Sequence, residues 1–271
     1  MLVVCNGMSR SGSTLQYNVV CNLVEAAGVG MARGGAENDG GPGPDLAHMD
    51  PTAPMQVYKA HDALRGTVPW IADGRDGVRI CYIHRDLRDV AVSLRTMQGG
   101  DDDNILHLLD AAVLAYGELK RVRHSPYVLW QRYEDVVADV LGATEEMARF
   151  LKVALPAETI DKIAADSAID GASKVMDKIR GLLDADLKHA DPGEVRRVRK
   201  AMRERSLTLR DPVTLIHWNH ISRHRGASGV WRTELPAQLA DTIVERYAEW
   251  FADAGYATDD THGAAEEGVE T

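Results

Sequence analysis

Cysteine is scarce in this chain. It occurs three times in 271 residues, at Cys5, Cys21 and Cys81, and no two of these positions are close in sequence. A disulfide framework or a zinc site needs more cysteines at closer spacings, so we expect neither. A free cysteine in an apolar segment behaves as a small hydrophobic residue. The pattern is typical of a reducing compartment, and a cytoplasmic location is therefore predicted.

Long apolar runs and a positive net charge are also missing. No run approaches the roughly 20 residues of a membrane-spanning helix, and the first residues lack the basic and apolar regions of a secretory signal. The net charge is −10. Because nucleic-acid binding depends on neutralising phosphates, a nucleic-acid partner is not expected. An anionic ligand must be held by a local basic pocket that opposes the overall negative charge.

Two segments lack regular patterns. Residues 28–54 are rich in glycine and proline and show no apolar periodicity. We interpret them as a flexible loop on the substrate side, and a disordered insertion is the alternative. Residues 257–271 contain five acidic residues and no Lys or Arg, which predicts an acidic, disordered tail. Residues 1–256 are expected to form a single domain, since their number suits one large α/β unit.

Apolar segments of strand length alternate with helical patterns along the rest of the chain. Strand-like runs occur at residues 2–5, 55–62, 78–84 and 127–130. The alternation predicts an α/β fold with three P-loop-like layers, in which helices flank a central parallel sheet of about four or five strands. A single last helix is predicted at about 236–254.

Three further features are interpreted as structural. His84 is expected to face the core, and Arg88 is expected to be a solvated helix residue. The charged run from Arg196 to Lys200 is interpreted as the exposed face of a helix, because charge runs of this kind are usually solvated.

The octapeptide from Gly7 to Thr14 is similar to a phosphate-binding loop without its lysine. A nucleotide-triphosphate loop reads G-x-x-x-x-G-K-[ST], with the lysine on the β- and γ-phosphates. Ser13 occupies the lysine position, and Arg10 is the only strong cation of the loop. A helix N-terminus after such a turn binds anions through free N–H groups. The segment therefore predicts an anion site, and the alternative is an ordinary strand–turn–helix corner.

Other polar and basic residues follow the remaining predicted strands. In an open parallel sheet, ligands bind at the carboxyl ends of the strands. The candidates come directly after a strand, in the helix that follows it, or in a later basic segment. They are Arg10, Lys59, His61, Arg85, Ser93, Tyr133, Arg225 and Gly226. Cations gathered at one sheet edge of an acidic protein favour a ligand with more than one anionic group.

Together these motifs resemble the sulfotransferase family that uses 3′-phosphoadenosine 5′-phosphosulfate (PAPS). The Arg10–Thr14 segment is similar to the family's 5′-phosphosulfate loop, in an R-S-G-S-T form more usual in carbohydrate and bacterial members. The Arg85–Ser93 segment resembles the 3′-phosphate motif R-N-P-x-D-V-x-x-S and keeps its eight-residue offset. Lys59-Ala60-His61 resembles the K-x-H element that supplies the catalytic base.

Two more elements complete the resemblance, which extends from residue 1 to about 256. Tyr133 lies in a Y-E-D element of the kind found near the adenine. The segment from Arg225 to Arg232 resembles the C-terminal G-x-x-G-x-W-K element, another contact of the 3′-phosphate. Asp86 and Leu87 depart from the family pattern, because they replace its Asn-Pro. Ala168 stands where an aromatic residue usually covers adenine.

The resemblance implies in-line transfer of a sulfuryl group from PAPS to a hydroxyl or amine of a small-molecule acceptor. Positioning and electrostatics dominate such transfers. His61 is implied to be the general base, and Lys59 and Arg10 to stabilise developing charge. The residues implied to bind the donor are Arg10, Ser11, Gly12, Ser13, Thr14, Arg85, Ser93, Tyr133, Arg225 and Gly226. No metal is expected.

Two alternatives remain open. One is a non-catalytic module that binds PAPS or another nucleotide. The other is an atypical P-loop nucleotide kinase. The presence of Ser13 in place of the P-loop lysine is evidence against this alternative. The fold does not name the acceptor, but the polar segment 28–54 favours a sugar, a nucleoside or another polar natural product.

Overall fold

Five parallel strands form the centre of the computed structural model, which describes residues 1–35, 52–61, 69, 71, 77–99, 101–204, 207 and 209–258. Within these residues the strands are β1 (Leu2–Asn6), β2 (Gly30–Gly35), β3 (Met55–Ala60), β4 (Val78–His84) and β5 (Val128–Arg132). Their order across the sheet is β2-β3-β1-β4-β5, and every neighbouring pair is parallel. The predicted α/β fold with a parallel sheet of four or five strands is confirmed.

Helices make up most of the remaining described residues. In chain order they are α1 (Ser13–Ala26), α2 (Leu87–Gln98), α3 (Asp102–Lys120), α4 (Tyr133–Ala138), α5 (Val140–Leu151), α6 (Ala157–Ser167), α7 (Ile169–Leu187), α8 (Pro192–Arg203), α9 (Trp231–Glu234), α10 (Ala237–Arg246) and α11 (Ala248–Ala254). No helix among the described residues is long and apolar enough to cross a membrane.

The central strand β1 separates two hydrophobic cores. Its five residues are all buried, as a parallel strand covered on both faces requires. Alternate side chains of a strand point to opposite faces, so Val3 and Cys5 pack with α1 while Leu2 and Val4 pack with α2, α3 and the C-terminal helices. Because β1 lies between β3 and β4, the loops after these three strands meet at one edge of the sheet.

The first part of the segment predicted as a loop is a strand. Residues 30–35 form β2, which pairs with β3 at the edge of the sheet and shifts register between Ala32 and Gly34. A Cβ at Gly30 would lie 2.5 Å from the carbonyl oxygen of Met55, so glycine permits the close approach of the two backbones. The prediction failed here because a glycine-rich edge strand shows no apolar alternation. Residues 36–51 and 259–271 lie outside the described residues.

The last predicted helix is two helices. The helical conformation is interrupted at Tyr247, whose backbone is not helical (φ −116°, ψ 28°). The Tyr247 hydroxyl donates to Asp110 at 2.8 Å and lies 2.9 Å from the carbonyl oxygen of Leu106, both in α3. This anchoring to another helix fixes the bend between α10 and α11, and it is a long-range contact that helical periodicity does not reveal.

Arg88 is buried, and its prediction as a solvated residue was wrong. Its guanidinium forms a two-pronged pair with Asp86 at 3.0 and 2.7 Å and donates to the carbonyl oxygen of Ala257 at 2.8 Å. The same group lies 3.8 Å above the ring centre of Trp231. A guanidinium tolerates burial when its donors are paired and its face is stacked.

The other two structural interpretations are confirmed. His84 is 2% exposed and packs among the rings of Tyr116, Trp130 and Trp250. Burial, with a smaller contribution from the positive charge of Arg132, lowers the pKa of His84 to about 4. Helix α8, which contains the Arg196–Lys200 run, has no buried residue.

Candidate active site

A cavity of about 530 Å³ opens where the loops after β1, β3 and β4 meet. Its walls include most of the residues that the sequence predicts as catalytic or donor-binding. These are Arg10, Gly12, Ser13, Thr14, Lys59, His61, Arg85, Ser93, Tyr133, Arg225 and Gly226. A second cavity of similar volume lies beside β5, around Trp130 and Arg132. It contains none of these residues, so we place the candidate site in the first.

The loop between β1 and α1 is shaped to leave a helix N-terminus open. Arg10 and Gly12 both adopt left-handed backbone conformations, with φ of 64° and 86°. Helix α1 then starts at Ser13 without a side-chain cap. The first N–H groups of a helix have no partner within the helix, and Ser13 and Thr14 line the cavity. This arrangement suits an anionic group.

Ser11 occupies a different position from its neighbours. Its hydroxyl lies 2.6 Å from the carbonyl oxygen of Met8 and 2.9 Å from that of Ile83. The side chain is fully buried and does not line the cavity. The Ser11 hydroxyl therefore ties the loop to β4. The backbone N–H of Ser11 donates to the carbonyl oxygen of Met8 at 3.2 Å, and the contact of Ser11 with a donor remains a prediction.

Arg10 connects the loop with two other parts of the site. Its Nε donates to Oγ of Ser93 at 2.9 Å, and its Nη2 donates to the carbonyl oxygen of His220 at 3.3 Å. Burial first, and then the positive charge of Arg85, lower the pKa of Arg10 to about 10. The group stays charged at neutral pH, and an anion bound beside it would offset both of these costs.

Lys59 and His61 form a hydrogen-bonded pair at the end of β3. Nζ of Lys59 lies 2.8 Å from Nε2 of His61, and Nδ1 of His61 lies 3.0 Å from the carbonyl oxygen of Gly7. Since a carbonyl only accepts, we assign the proton to Nδ1, which leaves the lone pair on Nε2. A neutral imidazole with its lone pair in a cavity has the form that a general base requires.

Arg85 is held at the start of α2 by three different groups. Its guanidinium lies 4.3 Å from the ring centre of Tyr133 and 3.7 Å from the carboxylate of Asp89, and it donates to the carbonyl oxygen of Ala227 at 2.7 Å. Its Nε is buried without a hydrogen-bond partner among the described residues. Buried donors are normally paired, so this unpaired Nε beside a cavity fits an anionic oxygen.

The C-terminal loop closes this end of the cavity. The Tyr133 hydroxyl donates to the carbonyl oxygen of Gly226 at 2.6 Å. Gly226 has φ 73°, and a Cβ there would lie 2.4 Å from that hydroxyl. Arg225 has φ 50° and forms an ion pair with Asp170 at the start of α7. Glycine is needed at 226 because the loop crosses Tyr133 so closely.

Asp89, which belongs to α2, binds the backbone of the same loop. Its carboxylate accepts hydrogen bonds from the backbone N–H groups of Gly229 at 2.7 Å and Trp231 at 3.0 Å. Burial raises the pKa of Asp89 although Arg85 and both N–H groups oppose this shift. The sequence contained Asp89 within the motif that begins at Arg85, and the structure adds its contact with the loop.

Some cavity residues were not predicted from the sequence. The described residues 216–222 contribute His217 and His220, and the junction of α6 and α7 contributes Ser167. The segment that carries the two histidines has no regular secondary structure, so no periodicity placed it. The recurrence of histidine three residues apart shortly before Arg225 was the available signal. No group of three or more His, Cys, Asp or Glu in the described part of the chain is arranged to hold a metal ion.

Comparisons with known proteins place this fold. No protein-family model matches the sequence, and no curated protein matches it. A crystal structure of retinol dehydratase with androsterone and the inactive cofactor PAP matches with a TM-score of 0.55 and 19% identity, over 96% of this chain and 81% of that chain. A complex of retinol dehydratase with retinol and PAP gives a TM-score of 0.53, 19% identity and the same coverages, 96% and 81%.

A third similar structure carries the sulfotransferase name itself. Mouse sulfotransferase SULT7A1 complexed with PAP matches with a TM-score of 0.56 and 15% identity, over 94% of this chain and 85% of that chain. The chain therefore has the fold of the PAPS-dependent sulfotransferases. Identities of 15–19% establish the fold alone, so the donor, the acceptor and the reaction are argued from the residues of the site.

Proposed function

We propose that this protein is a cytoplasmic, metal-independent sulfotransferase that moves a sulfuryl group from PAPS to a hydroxyl or amine of a small polar acceptor. The observation that carries the proposal is the Lys59–His61 pair, which lies in the same cavity as the loop cation Arg10. A basic imidazole, two cations and an open helix N-terminus are the groups that transfer of an anionic group between oxygens needs.

We assign two regions of the cavity lining to two anionic groups of the donor. The first comprises Arg10 and the uncapped start of α1, and it suits the 5′-phosphosulfate. The second comprises Arg85, Ser93 and the Arg225-Gly226 loop, and it suits the 3′-phosphate. The unpaired Nε of Arg85 supports this second assignment. Two anionic groups on one nucleotide would use both regions at once, which matches PAPS better than a nucleotide whose phosphates form one chain.

His61 acts on the acceptor in this proposal. Its Nδ1–H bond to Gly7 keeps the lone pair on Nε2, and Nε2 takes the proton of the attacking hydroxyl. Lys59 donates to the same Nε2 in this structure, so its ammonium must turn toward the leaving oxygen before Nε2 is available. Arg10 and Lys59 then stabilise the negative charge that develops on the transferred group and on the leaving oxygen.

The non-catalytic binding module is the second candidate. The occupation of His61 Nε2 by Lys59 favours it, because a base that stays hydrogen-bonded to an ammonium group does not accept a proton. The nucleotide-kinase alternative receives less support, since Ser13 stands in place of the lysine that holds the β- and γ-phosphates.

The test is transfer of radiolabelled sulfate from PAPS to a panel of hydroxyl and amine acceptors. We expect transfer by the wild type and a loss of about 10²–10⁴-fold in kcat for His61→Asn, as for removal of a general base. The affinity for PAP should stay unchanged in that variant. His107→Asn, a change at an exposed histidine of α3, is the control. Wild-type protein that binds PAP and transfers nothing would leave the binding module as the function.

A further inference from the structure

The segment between Ile216 and Ser222 forms one wall of the candidate active site. It carries two parallel imidazoles, since the rings of His217 and His220 lie 6.0 Å apart with 10° between their planes. His220 also contributes the carbonyl oxygen that accepts a hydrogen bond from Arg10. The pair is therefore at the end of the cavity where Arg10 lies.

Several hydrogen bonds hold this wall in place although it has no regular secondary structure. The Trp218 indole donates to the carbonyl oxygen of Leu207 at 3.0 Å, and its backbone N–H donates to that of Leu209 at 3.1 Å. Asp211 caps the preceding turn by accepting from the backbone N–H of Thr214 at 2.7 Å. The two histidines thus project from an anchored segment.

Neither imidazole forms a side-chain hydrogen bond with any described residue. Nδ1 of His220 is also buried without a partner there. A buried polar atom without a partner is energetically unfavourable, and such atoms in native structures usually have a role or a missing ligand. The protein thus presents two histidines to the cavity whose hydrogen-bonding capacity its own described residues do not use.

The surrounding charges decide which kind of group suits these histidines. Burial first, and then nearby cations that include Arg10 and Lys59, lower the pKa of both His217 and His220. Both rings are accordingly neutral near pH 7. A neutral imidazole offers one donor and one acceptor, which matches a hydroxyl group. The same cations repel an ammonium group, and an apolar ring would leave the imidazole nitrogens without partners.

We propose that His217 and His220 bind the acceptor and select an uncharged molecule with several hydroxyl groups, such as a sugar or a nucleoside. This inference rests on the proposed sulfotransferase function. Each imidazole holds a hydroxyl that does not react, and the reacting hydroxyl is thereby directed to His61. The selected class differs from the largely apolar retinol and androsterone named in the complexes of retinol dehydratase.

The test compares acceptors that differ in one property. Methyl glucoside and cyclohexylmethanol both present a primary alcohol on a six-membered ring, but only the first has further hydroxyls. Glucosamine adds a positive charge, and uridine and androsterone extend the panel. Initial rates are measured with PAPS, and binding of each probe to the PAP-loaded protein is measured by calorimetry. We expect methyl glucoside and uridine to bind and react, and the other three to do so at least about tenfold less well.

Variants test the two histidines directly. His220→Phe should raise the KM for methyl glucoside about tenfold, as for one or two lost hydrogen bonds, with a smaller change in kcat and an unchanged affinity for PAP. His217→Phe should act in the same direction. His220→Gln, which keeps a donor and an acceptor, should recover most of the loss. His107→Ala on the exposed surface of α3 is the control.

The outcomes separate this inference from the proposed function. If PAP binds and androsterone or cyclohexylmethanol is the better acceptor, only the inference is overturned. It is also overturned if none of the hydroxyl-rich probes binds the PAP-loaded protein, or if His220→Phe leaves the KM for methyl glucoside unchanged. If the protein binds no PAP and transfers sulfate to nothing, both the proposed function and the inference fail.

Discussion

Nε of Arg10 donates a hydrogen bond to Oγ of Ser93 at 2.9 Å, across a sequence separation of 83 residues. Arg10 belongs to the loop after β1, and Ser93 belongs to the helix after β4. The contact is possible because β1 and β4 are neighbours in the sheet, with Cys5 opposite Cys81. Two motifs that the sequence shows separately are thus parts of a single site.

Replacing Ser93 by alanine should weaken the binding of PAP. The variant loses a hydroxyl that we propose donates to the 3′-phosphate, and hydrogen bonds to charged groups contribute roughly 1.5–3 kcal/mol. We expect the Kd for PAP, measured by calorimetry, to rise at least about tenfold. Thr242→Ala, at an exposed hydroxyl of α10, should leave it unchanged. Equal affinities of wild type and Ser93→Ala would remove Ser93 from the donor site.

Asp89→Asn should destabilise the fold. The asparagine accepts one of the two backbone hydrogen bonds from Gly229 and Trp231 but no longer balances the charge of Arg85. Breaking a buried pair is costly. The loss is reduced because the neutral asparagine avoids the cost of burying a charged carboxylate, the cost that raises the pKa of Asp89. We expect the free energy of unfolding in urea to fall by about 2 kcal/mol.

An exposed ion pair provides the matched control for Asp89. Asp102 pairs with Arg95 at 3.0 Å, and its side chain is 54% exposed. Asp102→Asn should change the free energy of unfolding by less than about 1 kcal/mol, as surface pairs do. If the two variants lose equal stability, the loop after residue 225 does not depend on Asp89.

A pair of glycines tests the shape of the anion-binding loop. Gly12 has φ 86°, and a Cβ there would lie 2.6 Å from Cδ2 of Tyr133. Gly12→Ala should therefore lower the free energy of unfolding by about 1–3 kcal/mol. Gly117 lies in α3 with open space around its Cα, and Gly117→Ala should raise stability by up to about 1 kcal/mol. Unfolding in urea measures both, and a neutral Gly12→Ala would contradict the close packing against Tyr133.

His84 should make the protein sensitive to acid. A histidine in the unfolded chain takes up a proton as the pH falls through about 6.5, whereas burial holds the pKa of His84 in the native state to about 4. The unfolded state binds more protons in this interval, so stability falls as the pH is lowered. Above pH 6.5, His84 does not lower the stability of the fold. By pH 4, its protonation in the unfolded chain lowers the free energy of unfolding by an amount on the order of 3 kcal/mol.

The variant His84→Phe isolates this contribution from those of other histidines. Phenylalanine fits an aromatic cluster and cannot take up a proton. We expect the fall in unfolding free energy between pH 7 and pH 4 to be smaller in the variant than in the wild type. Identical slopes for the two proteins would mean that burial does not lower the pKa of His84 in the native state.

The sequence indicated those parts of the site that belong to local motifs. The Gly7–Thr14 loop joins a strand to a helix within a few residues, and Lys59 and His61 lie at the end of a strand, so topology alone brought them to one sheet edge. The side chain of Ser11 was a partial exception. Its hydroxyl lies within hydrogen-bond distance of two buried carbonyl oxygens, those of Met8 and Ile83, and no spacing rule distinguishes that from a ligand contact.

Features that depend on long-range packing were not visible in the sequence. Arg88 has the pattern of a surface helix residue, and its burial depends on distant contacts such as those with Trp231 and Ala257. Strand β2 contains Gly30, whose backbone lies against Met55, and its glycines hide the alternation by which strands are recognised. His217 and His220 lie in an irregular segment whose position is set by contacts such as those of Trp218.

Calorimetric titration of the wild-type protein with PAP, and separately with ATP and Mg²⁺, tests the central claim most directly. Arg10 and Arg85 both line one cavity, and we assign them to the 5′ and 3′ anionic groups of a single nucleotide. We expect saturable one-to-one binding of PAP and much weaker binding of ATP with Mg²⁺. Tight binding of ATP with Mg²⁺ and no binding of PAP would contradict the assignment of this site to a sulfate donor.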